Sequence, residues 1–224
     1  MSAIPEGEKI SLYVHIPFCK RLCWFCACRT QGTQSLRPVE SYIENLLDEL
    51  KIVKSKLGAR VSLSRLHLGG GTPTILSSAT MSRLLNAIFD AFRVDSDFEF
   101  SVEVDPTEAA DDLLETLAGF GMNRASIGVQ DFAPKVQEAI GRLQSFDQTA
   151  HVVRVLRDSG VRSINMDLLY GLPFQTRASL TATLQQVLAL EPDRLALYGY
   201  AHVPWMAKRQ VMIKDETLPA PEAR

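Results

Sequence analysis

The sequence predicts an α/β protein, a partial (β/α)6 barrel in which an open parallel sheet lies inside and helices lie outside. Three observations carry that reading. Short apolar, β-branched runs alternate with longer amphipathic stretches, the rhythm of strand–helix units in a parallel sheet. Residues able to do chemistry recur where these runs end, as ligand-binding residues do at the carboxyl ends of parallel strands. The runs number six, short of the eight that close a barrel. At 224 residues, 46% hydrophobic and 22% charged, the chain suits one soluble domain with a sizeable core.

The first strand is Ser11 to Ile16, closed by Pro17. Pro38 to Leu57 reads as a helix, with Tyr42, Leu46, Leu50, Val53 and Leu57 along one face. Leu66 to Leu68 is the second strand and runs into Gly69-Gly70-Gly71-Thr72-Pro73-Thr74. Ser78 is the expected N-cap of a helix through Leu84, Leu85, Ile88 and Phe92. Phe98 to Val104 alternates as a third strand and stops at Asp105-Pro106. Leu113 to Phe120 forms a helix ended by Gly121, and Ala125 to Val129 a fourth strand. Phe146 to Ser159 is helical, Ile164 to Leu169 is the fifth strand, Ser179 to Leu190 is helical, and Leu195 to Tyr200 is the sixth strand. Residues 1–10 read as a short lead, 11–205 as the barrel, and 206–224 as the start of a linker.

All four cysteines fall between Cys19 and Cys28. The spacing of Cys19, Cys23 and Cys26 gathers three thiols on one short loop, and three thiolates on a [4Fe–4S] cluster leave one iron open for a ligand. Structural zinc and disulfides are the competing readings. A four-cysteine zinc site ordinarily takes pairs from two separate knuckles, and no second pair follows. Disulfides suit small secreted scaffolds. Met1 to Lys9 shows no basic-then-apolar leader and no apolar run reaches membrane-span length, so a reducing cytoplasm is expected. A net charge of −2 gives no field for nucleic acid.

The other candidates follow the strand ends. Gly69-Gly70-Gly71 is either a tight turn or bare backbone that a ligand approaches closely. Glu103 either caps a neighbouring helix, faces solvent, or holds an amine or hydroxyl ligand, and Asp167, between Met166 and Leu168, needs a partner if buried. Gln130 follows strand four and Ala201-His202 strand six. Arg142 by itself reads as a solvated helix residue. His15 and His67 read as satisfied core residues and His151 as a surface residue. Trp24 and Phe25 either pack the cysteine loop or shield a cluster from water.

Taken together, the residues resemble the radical S-adenosylmethionine (SAM) superfamily in Cys19-x3-Cys23-x2-Cys26 and the glycine run. More narrowly the chain is similar to the oxygen-independent coproporphyrinogen III oxidase (coproporphyrinogen dehydrogenase) family. Tyr13 to Cys19, the extra Cys28, Gly69 to Thr74, Glu103 to Pro106, Gly128 to Phe132, Asp167 to Pro173 and Tyr200 to Pro204 carry that likeness. The resemblance implies that Cys19, Cys23 and Cys26 ligate a [4Fe–4S] cluster, with Cys28 beside it. One SAM would bind the open iron amid Tyr13, Gly70, Glu103 and the backbone near Ala201. Phe25, Gly71, Thr72, Gln130, Arg142 and Asp167 match positions that hold a second SAM or bridge the two.

The implied reaction is oxidative decarboxylation of two propionates of coproporphyrinogen III to vinyls, giving protoporphyrinogen IX for haem biosynthesis. A reductant such as flavodoxin or ferredoxin would feed the cluster, and Arg29, Lys208 and Arg209 are candidates to meet the substrate's carboxylates. The related haem chaperones share the barrel and cluster motif, but Cys28 and Tyr200 to Pro204 favour the dehydrogenase. Family members are longer at both ends, so the chain reads as truncated. It is expected to hold the cluster and one SAM, to lack turnover alone, and to expose apolar surface. A catalytically silent fragment is the remaining alternative.

Overall fold

The computed structural model describes residues 4–5, 7–57 and 61–223. The lead read as free of an export signal therefore lies partly outside the described residues. Six strands, β1 (Glu8–Ile16), β4 (Val61–Gly70), β5 (Arg93–Val104), β6 (Arg124–Gln130), β7 (Ser163–Tyr170) and β8 (Arg194–Gly199), form one sheet in that order. Every neighbouring pair is parallel. Because the strands follow one another in chain order, right-handed crossovers place the connecting helices on one face. Those helices are α1 (Arg37–Leu57), α2 (Ser78–Ala91), α3 (Asp111–Gly119), α5 (Phe146–Asp158) and α6 (Arg177–Leu188).

The alternation of each strand sorts its residues between the two faces. Leu66, Leu68, Phe100, Val102, Ala125, Ile127, Ile164, Met166 and Leu168 are fully buried in one core with Leu84, Leu85 and Ile88 of α2, Leu113, Leu114 and Leu117 of α3, and Leu156 of α5. The residues between them are mostly polar. His67, Ser101, Glu103, Ser126, Asn165 and Asp167 face the inside of the sheet and bond to one another. Val39, Ile43 and Leu50 are the buried residues of α1, while Tyr42, Leu46, Val53 and Leu57, expected along its face, pack there partly buried.

Several boundaries differ from the sequence expectation. Strand β1 begins at Glu8, inside the expected lead, because Glu8, Lys9 and Ile10 pair with Val61, Ser62 and Leu63. Strands β4 and β5 also begin earlier than expected: pairing holds the polar start of β5 in register, and in β4 Val61 and Leu63 are buried in the core besides pairing with β1. The N-cap of α2 is Ser77 rather than Ser78. Ser77 has the extended backbone of a cap and accepts from Thr80 N, whereas Ser78 is helical and its hydroxyl donates to Asp112. Helix α6 starts before Ser179, which instead completes a capping box with Thr176.

Three short elements carried no period to read. β2 (Phe18–Cys19) and β3 (Gln31–Gly32) pair with each other and close the base of the cysteine loop, reinforced by Thr33 N donating to Cys19 O at 3.0 Å. α4 (Pro134–Ala139) opens on a proline. A small second core sits over the cysteine loop, where Val136, Ile140, Leu172, Tyr200 and Ile213 bury against Trp24, Phe25 and Leu218. Residues 206–224 thus include side chains packed on that loop, and the described part holds only short stretches of 3-10 helix. Leu195, Leu197 and Tyr198 of β8 are exposed, as are Trp205 and Met206.

Candidate active site

One cavity of about 180 Å³ opens at the carboxyl ends of the strands. Cys19, Cys23, Cys26, Phe25, Gly70, Gly71, Thr72, Glu103, Gln130, Arg142 and Asp167 all line it. The two other expected site residues do not. Tyr13 lies along the edge strand β1, stacked on His67 with ring centroids 5.6 Å apart and its hydroxyl 2.9 Å from His15 Nδ1. Ala201 presents its carbonyl to Gln210 Nε2 at 3.1 Å. Of the three cations considered for substrate carboxylates, only Arg209 reaches the cavity lining, and its guanidinium holds Thr30.

The glycine run is a close-approach site rather than a turn alone. Gly70 has φ 115°, a region L side chains avoid, and its N–H donates to Glu103 Oε2 at 3.0 Å. A Cβ on Gly71 would come within 2.6 Å of Phe18 O and 3.0 Å of Cys19 Sγ, so only glycine lets the cysteine loop settle here. Glu103 is held from its other oxygen by His67 Nε2 at 3.4 Å, and His67 Nδ1 meets Ser101 Oγ at 2.7 Å. His67 therefore orients Glu103. His15 is likewise satisfied, between Tyr13 and the Arg29 carbonyl, and His151 bridges helices α5 and α3 through Asp111 at the surface.

Asp167 has the partners a buried carboxylate needs: Ser126 Oγ donates to it at 2.9 Å and Asn165 Nδ2 at 2.7 Å. Burial pushes its carboxyl above the ordinary range, a rise those hydrogen bonds oppose. Gln130 sits at φ 68°, just past a register shift between β6 and β7. Such a left-handed non-glycine residue beside a bulge stores strain where the strand meets the cavity.

Arg142, read from the sequence as a solvated residue, is nearly buried. Its Nη1 donates to Asp105 Oδ2 at 2.9 Å and to Cys23 Sγ at 3.6 Å, and its Nη2 to the Gly128 carbonyl at 2.8 Å and Gln144 Oε1 at 3.1 Å. Behind it stands a buried amide network that the sequence did not disclose. Gln144 bonds Thr149 and Gln137, Gln137 bonds the Asp131 carbonyl, and the fully buried Asp131 carboxylate accepts from Thr183 and Gln175. Amides and hydroxyls scattered over loops have no spacing that reveals such pairing. A further brace comes from Gln210, whose Nε2 also donates to the Phe25 carbonyl at 2.9 Å.

The donor set fits an iron–sulfur cluster. Cys28 N donates to Cys26 Sγ at 3.4 Å, and the hydrogen bonding from Cys28 lowers the Cys26 thiol to about 6. Burial raises the Cys19 and Cys23 thiols, opposed by Thr72 and Arg142 respectively, and Cys28 is raised by its hydrogen bond with Cys26. Among the described residues no three Cys, His, Asp or Glu side chains converge on a single-ion site. All four cysteines are free thiols, unlike the disulfide reading.

Comparison with known proteins agrees with this geometry. The chain is 57% identical over 224 residues to the oxygen-independent coproporphyrinogen III oxidase of Paracoccus denitrificans, covering 100% of this chain and 50% of that protein. It is 42% identical over 220 residues to the protein of that name from Escherichia coli, covering 98% and 48%. The chain spans about half the length of the curated relatives it matches. The structure of coproporphyrinogen III oxidase from Escherichia coli, described as a radical SAM enzyme, superposes with a TM-score of 0.95 at 41% identity over 99% of this chain and 51% of that one. Methylornithine synthase, at 15% identity and a TM-score of 0.58 over 88% of this chain and 54% of its own, shares the fold alone. No helix among the described residues is long and apolar enough to cross a membrane. The radical SAM superfamily model matches residues 13–187, most of the chain, and the chain belongs to that superfamily.

Proposed function

We propose that this chain is the radical SAM barrel of an oxygen-independent coproporphyrinogen III oxidase, working in the cytoplasm on a cluster reduced by a flavodoxin- or ferredoxin-like donor. The reading is supported above all by one observation: the cysteine loop, the glycine run, Glu103 and Asp167 come from separate strands yet line a single cavity. When bound, the cluster and SAM supply a carbon-centred radical able to take a hydrogen from a propionate side chain, so that loss of CO2 and one electron leaves a vinyl group.

The residues of the chain bind and orient. Cys19, Cys23 and Cys26 would hold the cluster. Glu103, fixed by His67 and the Gly70 N–H, would meet the amine and hydroxyl groups of the SAM on the open iron, with Gly70, Tyr13 and the Ala201 backbone at its margins. Gln130, Asp167, Phe25, Gly71, Thr72 and Arg142 would border a second SAM. Asp167, whose charged form is disfavoured by burial, suits a cationic or hydroxyl partner. Trp24 and Phe25 exclude water from the loop by packing into the small core. Arg209 would meet a substrate carboxylate at the rim.

The deciding experiment is anaerobic reconstitution with iron and sulfide, followed by EPR of the reduced protein with and without SAM. The expected result is a [4Fe–4S]⁺ signal that changes when SAM is added and disappears in Cys23→Ala. Bound zinc, or a signal indifferent to SAM, would refute the reading. Conversion of coproporphyrinogen III to protoporphyrinogen IX then tests the substrate.

A further inference from the structure

We infer that Arg142 and Asp105 form an opposed pair that sets the reduction potential of the cluster through the Cys23 sulfur. The inference rests on the proposed cluster at Cys19, Cys23 and Cys26. Each Nη of Arg142 faces two acceptors: Cys23 Sγ and Asp105 for one, the Gly128 carbonyl and Gln144 for the other. Two protons on each Nη are thereby committed, and only Nε lacks a partner. The guanidinium is thus locked on acceptors from the cysteine loop, the β5 end, β6 and the Gln144 loop. The buried network through Gln144, Gln137 and Asp131 fixes Gln144 in turn.

An N–H donor and a positive charge at a ligand sulfur stabilise the more negative, reduced cluster and so raise its potential. A carboxylate close by does the opposite, and burial strengthens both effects because water screens neither. Arg142 and Asp105 are both largely buried, with side-chain exposures of 11% and 17%. Removing either one leaves the other's charge uncompensated beside Cys23. The two substitutions must therefore move the potential in opposite directions. A role as a mere strut between loops predicts no such opposition.

The test is a redox titration of the reconstituted chain with dithionite and mediators, one electron carrying each cluster from its 2+ to its 1+ state, read by EPR without SAM. Iron and sulfide content are measured alongside. In Arg142→Met the reduced-to-oxidised ratio at a fixed potential should fall about tenfold, a shift of about 59 mV for one electron. In Asp105→Asn it should rise, and Arg142→Lys, which keeps the charge, should lie between Arg142→Met and wild type. Shifts of the same sign in Arg142→Met and Asp105→Asn, or no shift in either, would overturn the inference while leaving the cluster reading intact. If Arg142→Met takes up no cluster, Asp105→Asn decides: an upward shift supports the pair, and an unchanged or lower potential overturns it. A wild-type chain without a cluster overturns the proposed function and this inference together.

Discussion

The two faces of the same strands carry different work. Toward the helices, Leu66, Leu68, Phe100, Val102, Ile127, Met166 and Leu168 are buried to the last few per cent and pack with α2, α3 and α5. One residue along, His67, Ser101, Glu103, Ser126, Asn165 and Asp167 make a hydrogen-bonded inner surface that rises to the cavity. A strand alternates its side chains with period two, so stability and chemistry are written on interleaved positions of one segment. A slip of one residue would exchange them, which is why the apolar core also fixes the register that aims Glu103 and Asp167.

The comparison is sharpened first on the outer face. Phe100→Ala removes a fully buried ring from the core and should cost about 3–5 kcal/mol, seen as a lowered denaturant midpoint. If the variant stays folded, its reconstituted cluster should show wild-type EPR. A changed signal would break the separation between the faces.

The next effect is on the inner face and depends on pH. Burial raises the Asp167 carboxyl, so its contribution to folding is fully present below the unfolded carboxylate value of about 3.9 and is lost as pH rises through the folded value. In the metal-free chain Asp167→Asn should therefore gain stability relative to wild type at neutral pH, and the gain should shrink as pH falls. Urea unfolding at two pH values checks this. A variant less stable at neutral pH would mean that the bonds from Ser126 and Asn165 outweigh burial. The smallest expected change is Ser101→Ala, which removes the partner of His67 Nδ1 and should cost about 1 kcal/mol by the same unfolding measurement. Its larger consequence should be weaker SAM binding, because His67 no longer holds Glu103, measured as the SAM concentration that half-converts the EPR signal. Unchanged SAM dependence would detach His67 from the site.

Much of the fold was legible because its signals are periodic. The apolar centres of six strands and the amphipathic faces of the main helices stand out by spacing alone, and helix ends such as Gly121 and Gly160 by the turns they permit. The pieces that escaped mostly lack a period: the two-residue strands under the cysteine loop, the six-residue α4, and the polar start of β5, which pairing with a neighbour holds extended. The site divides the same way. Cys19, Cys23 and Cys26 share one short loop, so their spacing alone brought them together. Ser126, Asp105 and Gln144 line or brace the same place without any local pattern, since hydroxyls, carboxylates and amides are common on loops and strand ends.

By itself the sequence determined the parallel α/β class, the cysteine loop and the run of glycines, because each rests on local spacing that no partner can alter. Only the tertiary structure decided that Arg142 is buried against Cys23 and Asp105, that His67 holds Glu103, and that Gln210 braces the loop from a distant turn. Those contacts join residues far apart in the chain. Burial and hydrogen-bond satisfaction, which select such partners, are properties of the packed molecule and not of any segment of it.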